Sequence, residues 1–261
     1  MFKIGFLGAG KMAEGILAAI DDKKSVIMAE KIEARAHELE KKYSVAVTSN
    51  VTDVAKKSSL IFLAVKPQDV ESVAAEIKGL LKPTQVLVSI VAGKRLSYLR
   101  KAFGPKVRLI RVMPNLALRA SAGMCAICAG GGAKASDIKK VEKILGGAGS
   151  TAVLKEKDFD AVTALSGSGP AYFAYMEEAM AEAGVKLGLK KDVARMLAEE
   201  TMYGTAKYLR ESKVDLKLFI AGVCTKGGTT AAGMEELSDP RFKAIVEKTL
   251  SAAARRSKEL A

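Results

Sequence analysis

Three short segments carry the residue types from which a reactive site could be built. Near the N-terminus, Gly8-Ala9-Gly10-Lys11-Met12-Ala13 follows the apolar, β-type residues Ile4, Phe6 and Leu7 and runs into a helix-forming stretch. A strand, a glycine turn and a helix in that order can hold a dinucleotide pyrophosphate. Gly8 would make the turn, Gly10 would let the anion reach the backbone, and Ala13 would let the helix close onto the strand. The free N–H groups and positive dipole end of the helix would then face the charge. The other two segments are LSGSGPAY at 165–172 and CTKGGTT at 224–230. Each puts glycines and hydroxyls just ahead of an expected helix, and backbone N–H and O–H donors together suit a carboxylate. Each also reads as a capped helix start, with Ser168 as cap and Pro170 in the first turn of the earlier one.

Other chemistries are harder to build. The single histidine, His37, lies in the charged stretch KIEARAHELEKKY. Histidine-based triads, zinc sites and acid/base catalysis therefore lack their usual residue. Cys125 and Cys128 form a lone C-x-x-C in a strand-like segment that would put them on opposite faces, so they read as small buried residues, and three cysteines suit a reducing compartment. The formal charge of +13 comes as scattered basic pairs with acids nearby, not as a basic block interleaved with aromatics, so the charge suits an anionic cofactor and substrate better than nucleic acid. No apolar run approaches a membrane span, and the first apolar stretch is broken by glycines, Lys11 and Glu14, unlike a signal peptide. A cytoplasmic location is the expectation, with no metal.

The elements that must position these residues follow a regular alternation. Strands are expected at 25–29, 45–48, 60–65, 86–90 and 107–112, with helices at 32–43 and 69–81. The run at 60–65 is apolar throughout, as in a parallel strand buried on both faces. This alternation predicts an α/β, doubly wound parallel sheet. Later edge or antiparallel strands are expected at 122–129 and 151–154, with a helix at 136–145 between them. Beyond about 157 no strand is convincing, and helices are expected at 170–187, 191–210, 215–221 and from 240 onward. The first of these carries Tyr172, Phe173, Tyr175, Met176, Met180, Val185 and Leu187, which predicts burial on several sides, as in a subunit interface. The expected division is a dinucleotide-binding domain at 1–157 and a helical domain at 158–261. Glu30 ends the second strand about twenty residues past the glycines, where an acid binds the adenosine ribose of NAD; Lys31 and Arg35 could instead meet the phosphate of NADP.

GAGKMA, AVKP at 64–67, VMPN at 112–115, SGSGPAY and TKGGTT, in this order and spacing, make the chain resemble the pyrroline-5-carboxylate reductase family. The resemblance runs from Lys3 to the last helix. It implies a Rossmann domain and an all-helical dimerisation domain that interlocks with its counterpart in a homodimer, often with five such dimers in a decamer. It also implies transfer of hydride from NADPH or NADH to 1-pyrroline-5-carboxylate, the last step of proline biosynthesis. Carried over by position, Gly8, Ala9, Gly10, Lys11, Met12 and Ala13 would hold the pyrophosphate. Asn50, Ala64, Val65, Lys66 and Pro67 would line the adenosine and ribose path. The turns at 89–93, with Ala92 and Gly93, and at 113–115, with Asn115, would flank the nicotinamide. Thr225, Lys226, Gly227, Gly228, Thr229 and Thr230 would receive the substrate, in a loop that the family takes from the partner subunit. Thr230 is the residue expected to act on the ring nitrogen. The chain has Leu116 and Ala117 where many members have threonine and proline, and Glu30 where many have small polar or basic residues.

Two other readings fit part of the pattern. A related two-domain reductase acting on a β-hydroxy acid or another cyclic imine would share the architecture. The hydroxy-acid enzymes, however, place a catalytic lysine on the first long helix, which here offers only Lys186 near its end. A dinucleotide sensor without catalysis would have no use for a carboxylate loop such as CTKGGTT.

Overall fold

The computed structural model describes residues 2–260. Its strands are β1 (Phe2–Leu7), β2 (Val26–Ala29), β3 (Ala46–Thr48), β4 (Ser58–Leu63), β5 (Val86–Ser89), β6 (Arg108–Pro114), β7 (Gly123–Ala129) and β8 (Gly149–Val153). They form one sheet in the order β3-β2-β1-β4-β5-β6-β7-β8. Neighbours are parallel except β6 and β7, which pair antiparallel. The first six strands thus have the doubly wound order 3-2-1-4-5-6, reversing between β1 and β4. Between the strands run α1 (Lys11–Ala18), α2 (Glu33–Tyr43), α3 (Val51–Lys57), α4 (Val70–Ile77), α5 (Leu96–Phe103) and α6 (Ala135–Gly146). The short helices α3 and α5 fall in stretches where the sequence pattern predicts no element.

The chain divides into two compact units. One takes in the residues up to Ser168 and those from Ala253 onward, and the other is Gly169–Ala252. In the first unit both faces of the sheet are covered, so successive strand residues enter different cores. Phe6 joins Ile16, Leu17, Met28, Phe62 and Leu145 on one face, whereas Leu7 joins Ile61, Leu63, Ile77, Leu99 and Phe103 on the other. Each such side chain contributes about 1.5 to 3 kcal/mol by leaving water. The Phe6 and Phe62 rings stack at 4.9 Å across β1 and β4, directly behind the glycine turn. Cys125 and Cys128 are both buried on β7, the first in the core with Phe6 and the second with Phe159 on the opposite face.

The last residues of the chain close this unit. The Ser257 hydroxyl donates to Asp160 Oδ1 at 2.7 Å, and Asp160 lies 3.9 Å from Arg95. The backbone of Leu260 covers Gly93, where φ is +72° and a Cβ would come within 2.9 Å of the Leu260 carbonyl oxygen. The turn after β5 is therefore held from outside by residues contributed more than 160 positions later.

One local expectation is corrected. Ser168 does not cap a helix; its φ of −87° and ψ of −20° are helical. Instead α7 (Phe159–Val162) continues through a π turn (Thr163–Gly167) into α8 (Gly169–Lys186). The Ser168 N–H donates to the Thr163 carbonyl at 2.8 Å, five residues back, and the Thr163 hydroxyl donates to Phe159 O at 2.7 Å. Both donors, one backbone N–H and one hydroxyl, are spent inside the helix, so the turn does not offer them to a ligand.

The second unit consists of α8, α9 (Lys191–Ser212), α10 (Leu216–Val223), α11 (Thr229–Leu237) and α12 (Pro240–Glu259) up to residue 252. Asp215 caps α10 by accepting from the Lys217 and Leu218 N–H groups at 2.9 and 3.2 Å. Among the described residues of this unit the buried hydrophobics are only Ala194 and Ala198, while Phe173, Tyr175, Leu187, Tyr203 and Leu218 are each more than 60% exposed. Helices this apolar with so small a core need a covering surface. No helix among the described residues is long and apolar enough to cross a membrane.

Candidate functional site

The glycine turn shows two different uses of the same residue. Gly8 sits at φ +95°, and a Cβ there would come within 2.8 Å of the Ala64 carbonyl oxygen and 3.0 Å of Val65 Cγ1. Here glycine is required by the fold. Gly10 is the N-cap of α1 with ordinary extended backbone, is exposed, and would place a Cβ in open space. Nothing in the protein demands glycine at this position. The space in front of Gly10, at the N-terminal end of an eight-residue helix with no side-chain cap, is what a pyrophosphate needs. Ala13 is fully buried against the sheet, while Lys11 is exposed and Met12 partly so. Ala9 is buried.

The remaining candidates of this unit follow the carboxyl ends of adjacent parallel strands, the edge at which open α/β sheets bind ligands. Glu30 follows β2, Asn50 follows β3, Ala64, Val65, Lys66 and Pro67 follow β4, Ala92 and Gly93 follow β5, and Asn115 follows β6. The structure brings all of them to the edge occupied by Gly8 and Gly10. Glu30 Oε1 accepts from the Ile32 N–H at 3.0 Å, which turns the carboxylate back over its own loop. Asn50 caps α3, its Oδ1 accepting from the Thr52 N–H at 2.9 Å. Lys66 is exposed beyond the end of β4.

Beside the turn lies a charged cluster that the sequence did not reveal. Glu14, on α1 and only 8% exposed, is bonded by Arg35 at 2.6 Å, Lys42 at 2.9 Å and the Tyr43 hydroxyl at 2.9 Å, all from α2. Arg35 also reaches the Ala9 carbonyl at 3.4 Å and Glu38 at 2.7 Å, so it is committed to protein partners where the sequence had offered it to a phosphate. Burial alone would raise the Glu14 carboxyl, but the bonds from Arg35, Lys42 and Tyr43 outweigh it and hold the group at about 2, below the ordinary 4.5. A depressed carboxyl stabilises the fold above its unfolded value and loses that contribution as pH falls towards the folded one. Glu14 therefore contributes on the order of 3 kcal/mol at neutral pH, lost between about pH 4.5 and 2. Thermal melts should show Glu14→Gln well below wild type at pH 7, with the gap narrowing steadily as the solution is acidified below about pH 5. A gap independent of pH would remove the charge from the explanation.

In the second unit, the exposed Thr225, Lys226 and Gly227 and the half-buried Gly228 form a turn before α11. Gly227 takes φ +69°, the Gly228 N–H donates to Thr225 O at 2.9 Å, and a Cβ on Gly228 would strike the Thr225 hydroxyl. Gly228 is the N-cap, without a side-chain bond, and Thr229 and Thr230 are the first two residues of the helix. The N–H groups of that first turn have no carbonyl behind them and can receive an anion. The glycine-threonine segment thus stands at a helix N-terminus, whereas LSGSGPAY lies within a continuous helix.

Residues 156–260 match the family model described as pyrroline-5-carboxylate reductase dimerisation, and residues 3–93 match the one described as NADP oxidoreductase, coenzyme F420-dependent. A pyrroline-5-carboxylate reductase from Synechocystis is 37% identical over 263 residues, covering 99% of this chain and 98% of its own. The chain belongs to the pyrroline-5-carboxylate reductase family. The fold agrees. The structure of a family member from Coxiella burnetii superposes with a TM-score of 0.95 at 28% identity, over 100% of this chain and 98% of that one. A Plasmodium falciparum pyrroline carboxylate reductase, solved with NADP bound, gives a TM-score of 0.87 at 30% identity, over 99% and 98%. The glycine turn and the edge residues thus lie in a framework shared along the full length of the family's chains.

Proposed function

We propose that the protein reduces 1-pyrroline-5-carboxylate to L-proline with NADPH or NADH. The observation that carries this is the open space before Gly10, at the ligand-binding edge of the sheet, in a chain matched end to end by reductases of that name. Gly8, Ala9, Gly10, Lys11, Met12 and Ala13 would hold the pyrophosphate, and Glu30, Asn50 and Ala64 to Pro67 the adenosine side. Ala92, Gly93 and Asn115 would border the nicotinamide. Bound there, the reduced nicotinamide supplies the hydride for the C=N bond.

The residues of the chain have a positioning task. A cyclic imine protonates in water near neutral pH, so no strong acid has to be supplied, in keeping with a site that has no histidine. The Thr230 hydroxyl oxygen accepts from the iminium N–H. The turn of Thr225, Lys226, Gly227, Gly228 and Thr229 binds the carboxylate through N–H groups, hydroxyls and the lysine charge. Fixing both ends of a small substrate converts an encounter into a bound, oriented pair. The functional division is a cofactor domain at 1–157 and a dimerisation domain at 158–261. The exposed apolar faces of the second unit support a homodimer, with five dimers forming a decamer in the cytoplasm and each substrate loop serving the site of the other subunit.

The assay that tests this reading follows oxidation of NADH and NADPH with 1-pyrroline-5-carboxylate and detects proline. The Glu30 carboxylate, at the end of β2, would repel a ribose 2′-phosphate. NADH should therefore be used as well as NADPH or better. A strong NADPH preference in side-by-side initial rates would remove Glu30 from the recognition, and no turnover with either cofactor would overturn the function.

A further inference from the structure

The π turn leaves one hydroxyl in an unusual position. Asn115, at the carboxyl end of β6, is locked to β7 by its backbone, its N–H donating to Met124 O at 3.1 Å, and its side-chain Oδ1 accepts from the Met124 N–H at 3.1 Å. That second bond fixes which end of the amide is which: the oxygen must face Met124, so Nδ2 faces the other way. There it donates to Ser166 Oγ at 3.4 Å. Ser166 is consequently an acceptor in this pair, and its own hydrogen has no acceptor among the described residues. Ser166 lies inside the π turn (Thr163–Gly167), and such turns recur at functional sites. Leu165 is 66% exposed beside it, and Gly167 lies under the Met113 methyl, which seats the turn on β6.

The placement narrows the ligand. If the adenosine end lies toward β2 and β3, the other end of a dinucleotide crosses the reversal toward β5 and β6. One Nδ2 hydrogen of Asn115 and the Ser166 hydrogen remain available there, two neighbouring donors with no basic partner of their own. We infer that Ser166, oriented by Asn115, is a substrate-binding residue that donates to the carboxylate of the cyclic imine. This rests on the function proposed above.

The test compares Ser166→Thr with Ser166→Val, which differ only in a hydroxyl for a methyl, so any backbone cost cancels. Ser166→Val should raise KM for 1-pyrroline-5-carboxylate at least tenfold over Ser166→Thr, with the KM for NADH and the melting temperature equal in the two. L-Proline titrated calorimetrically into each variant should bind correspondingly weaker to Ser166→Val. With 1-pyrroline, which has no carboxylate, the two variants should turn over alike. Equal KM values for the carboxylated substrate overturn the inference, as does an equal loss with 1-pyrroline or a loss confined to the NADH KM. Wild-type protein inert towards 1-pyrroline-5-carboxylate overturns the function itself, a result separable from any difference between the variants.

Discussion

Gly10→Val protein should fold, with a melting temperature only a few degrees below wild type, and lose about a hundredfold in apparent affinity for NADH. Its stability is expected because Gly10 has extended backbone, φ −67° and ψ 176°, and no neighbour within 4 Å of an added Cβ. Valine is a poorer N-cap than glycine, a loss of up to about 1 kcal/mol that shifts the melting temperature of a chain this size by only a few degrees. Its affinity suffers because two methyl groups would stand between the helix N-terminus and the pyrophosphate. Each charge-assisted bond lost is worth about 1.5 to 3 kcal/mol, and two of the weaker ones amount to about hundredfold. Gly8→Ala is the opposite control. An L residue at φ +95° costs roughly 1 to 2 kcal/mol before the contact with the Ala64 carbonyl is counted, so its melting temperature should drop. Isothermal titration with NADH and a thermal melt of each variant separate the two. If Gly10→Val binds NADH normally, the glycine turn is not where the cofactor sits.

Thr230→Val should cost about tenfold to a hundredfold in kcat/KM at unchanged stability, matching the loss of one hydrogen bond to a charged group, roughly 1.5 to 3 kcal/mol. The structure makes this a clean substitution. A capping threonine would lower the melting temperature when mutated, but the N-cap of α11 is Gly228, two residues earlier. Thr230 is within the helix, and its hydroxyl has no partner among the described residues. Steady-state kinetics with saturating cofactor, beside a thermal melt, decide the matter: a fall in melting temperature with intact kcat/KM would make Thr230 structural.

Much of the fold could be read from the chain because buried parallel strands leave a plain trace. Leu60, Ile61, Phe62 and Leu63 are apolar in succession because helices cover both faces of β4, and all four are buried. α3 and α5 were missed because seven or eight residues, VTDVAKK and LSYLRKAF, are too few to set a helical period apart from a polar loop. The glycine turn was legible because its residues are consecutive. The Glu14 cluster was not, since its partners lie 21, 28 and 29 positions away and meet only after β2 and α2 have folded back. The π turn was concealed differently. Ser168 followed by Pro170 imitates a helix start, and a hydrogen bond to the fifth residue back has no residue preference to announce it.

The way the last helix returns to cover Gly93 has a practical consequence for dissecting the protein. A recombinant fragment ending at residue 168 would contain every strand of the sheet and still be incomplete, because the piece that shields the turn after β5 would be missing. Asp160 would lose its Ser257 partner in the same cut. Supplying residues 253–260 as a synthetic peptide, or joining them to residue 168 through a short linker, is therefore the sensible design for anyone who wants the nucleotide-binding half alone.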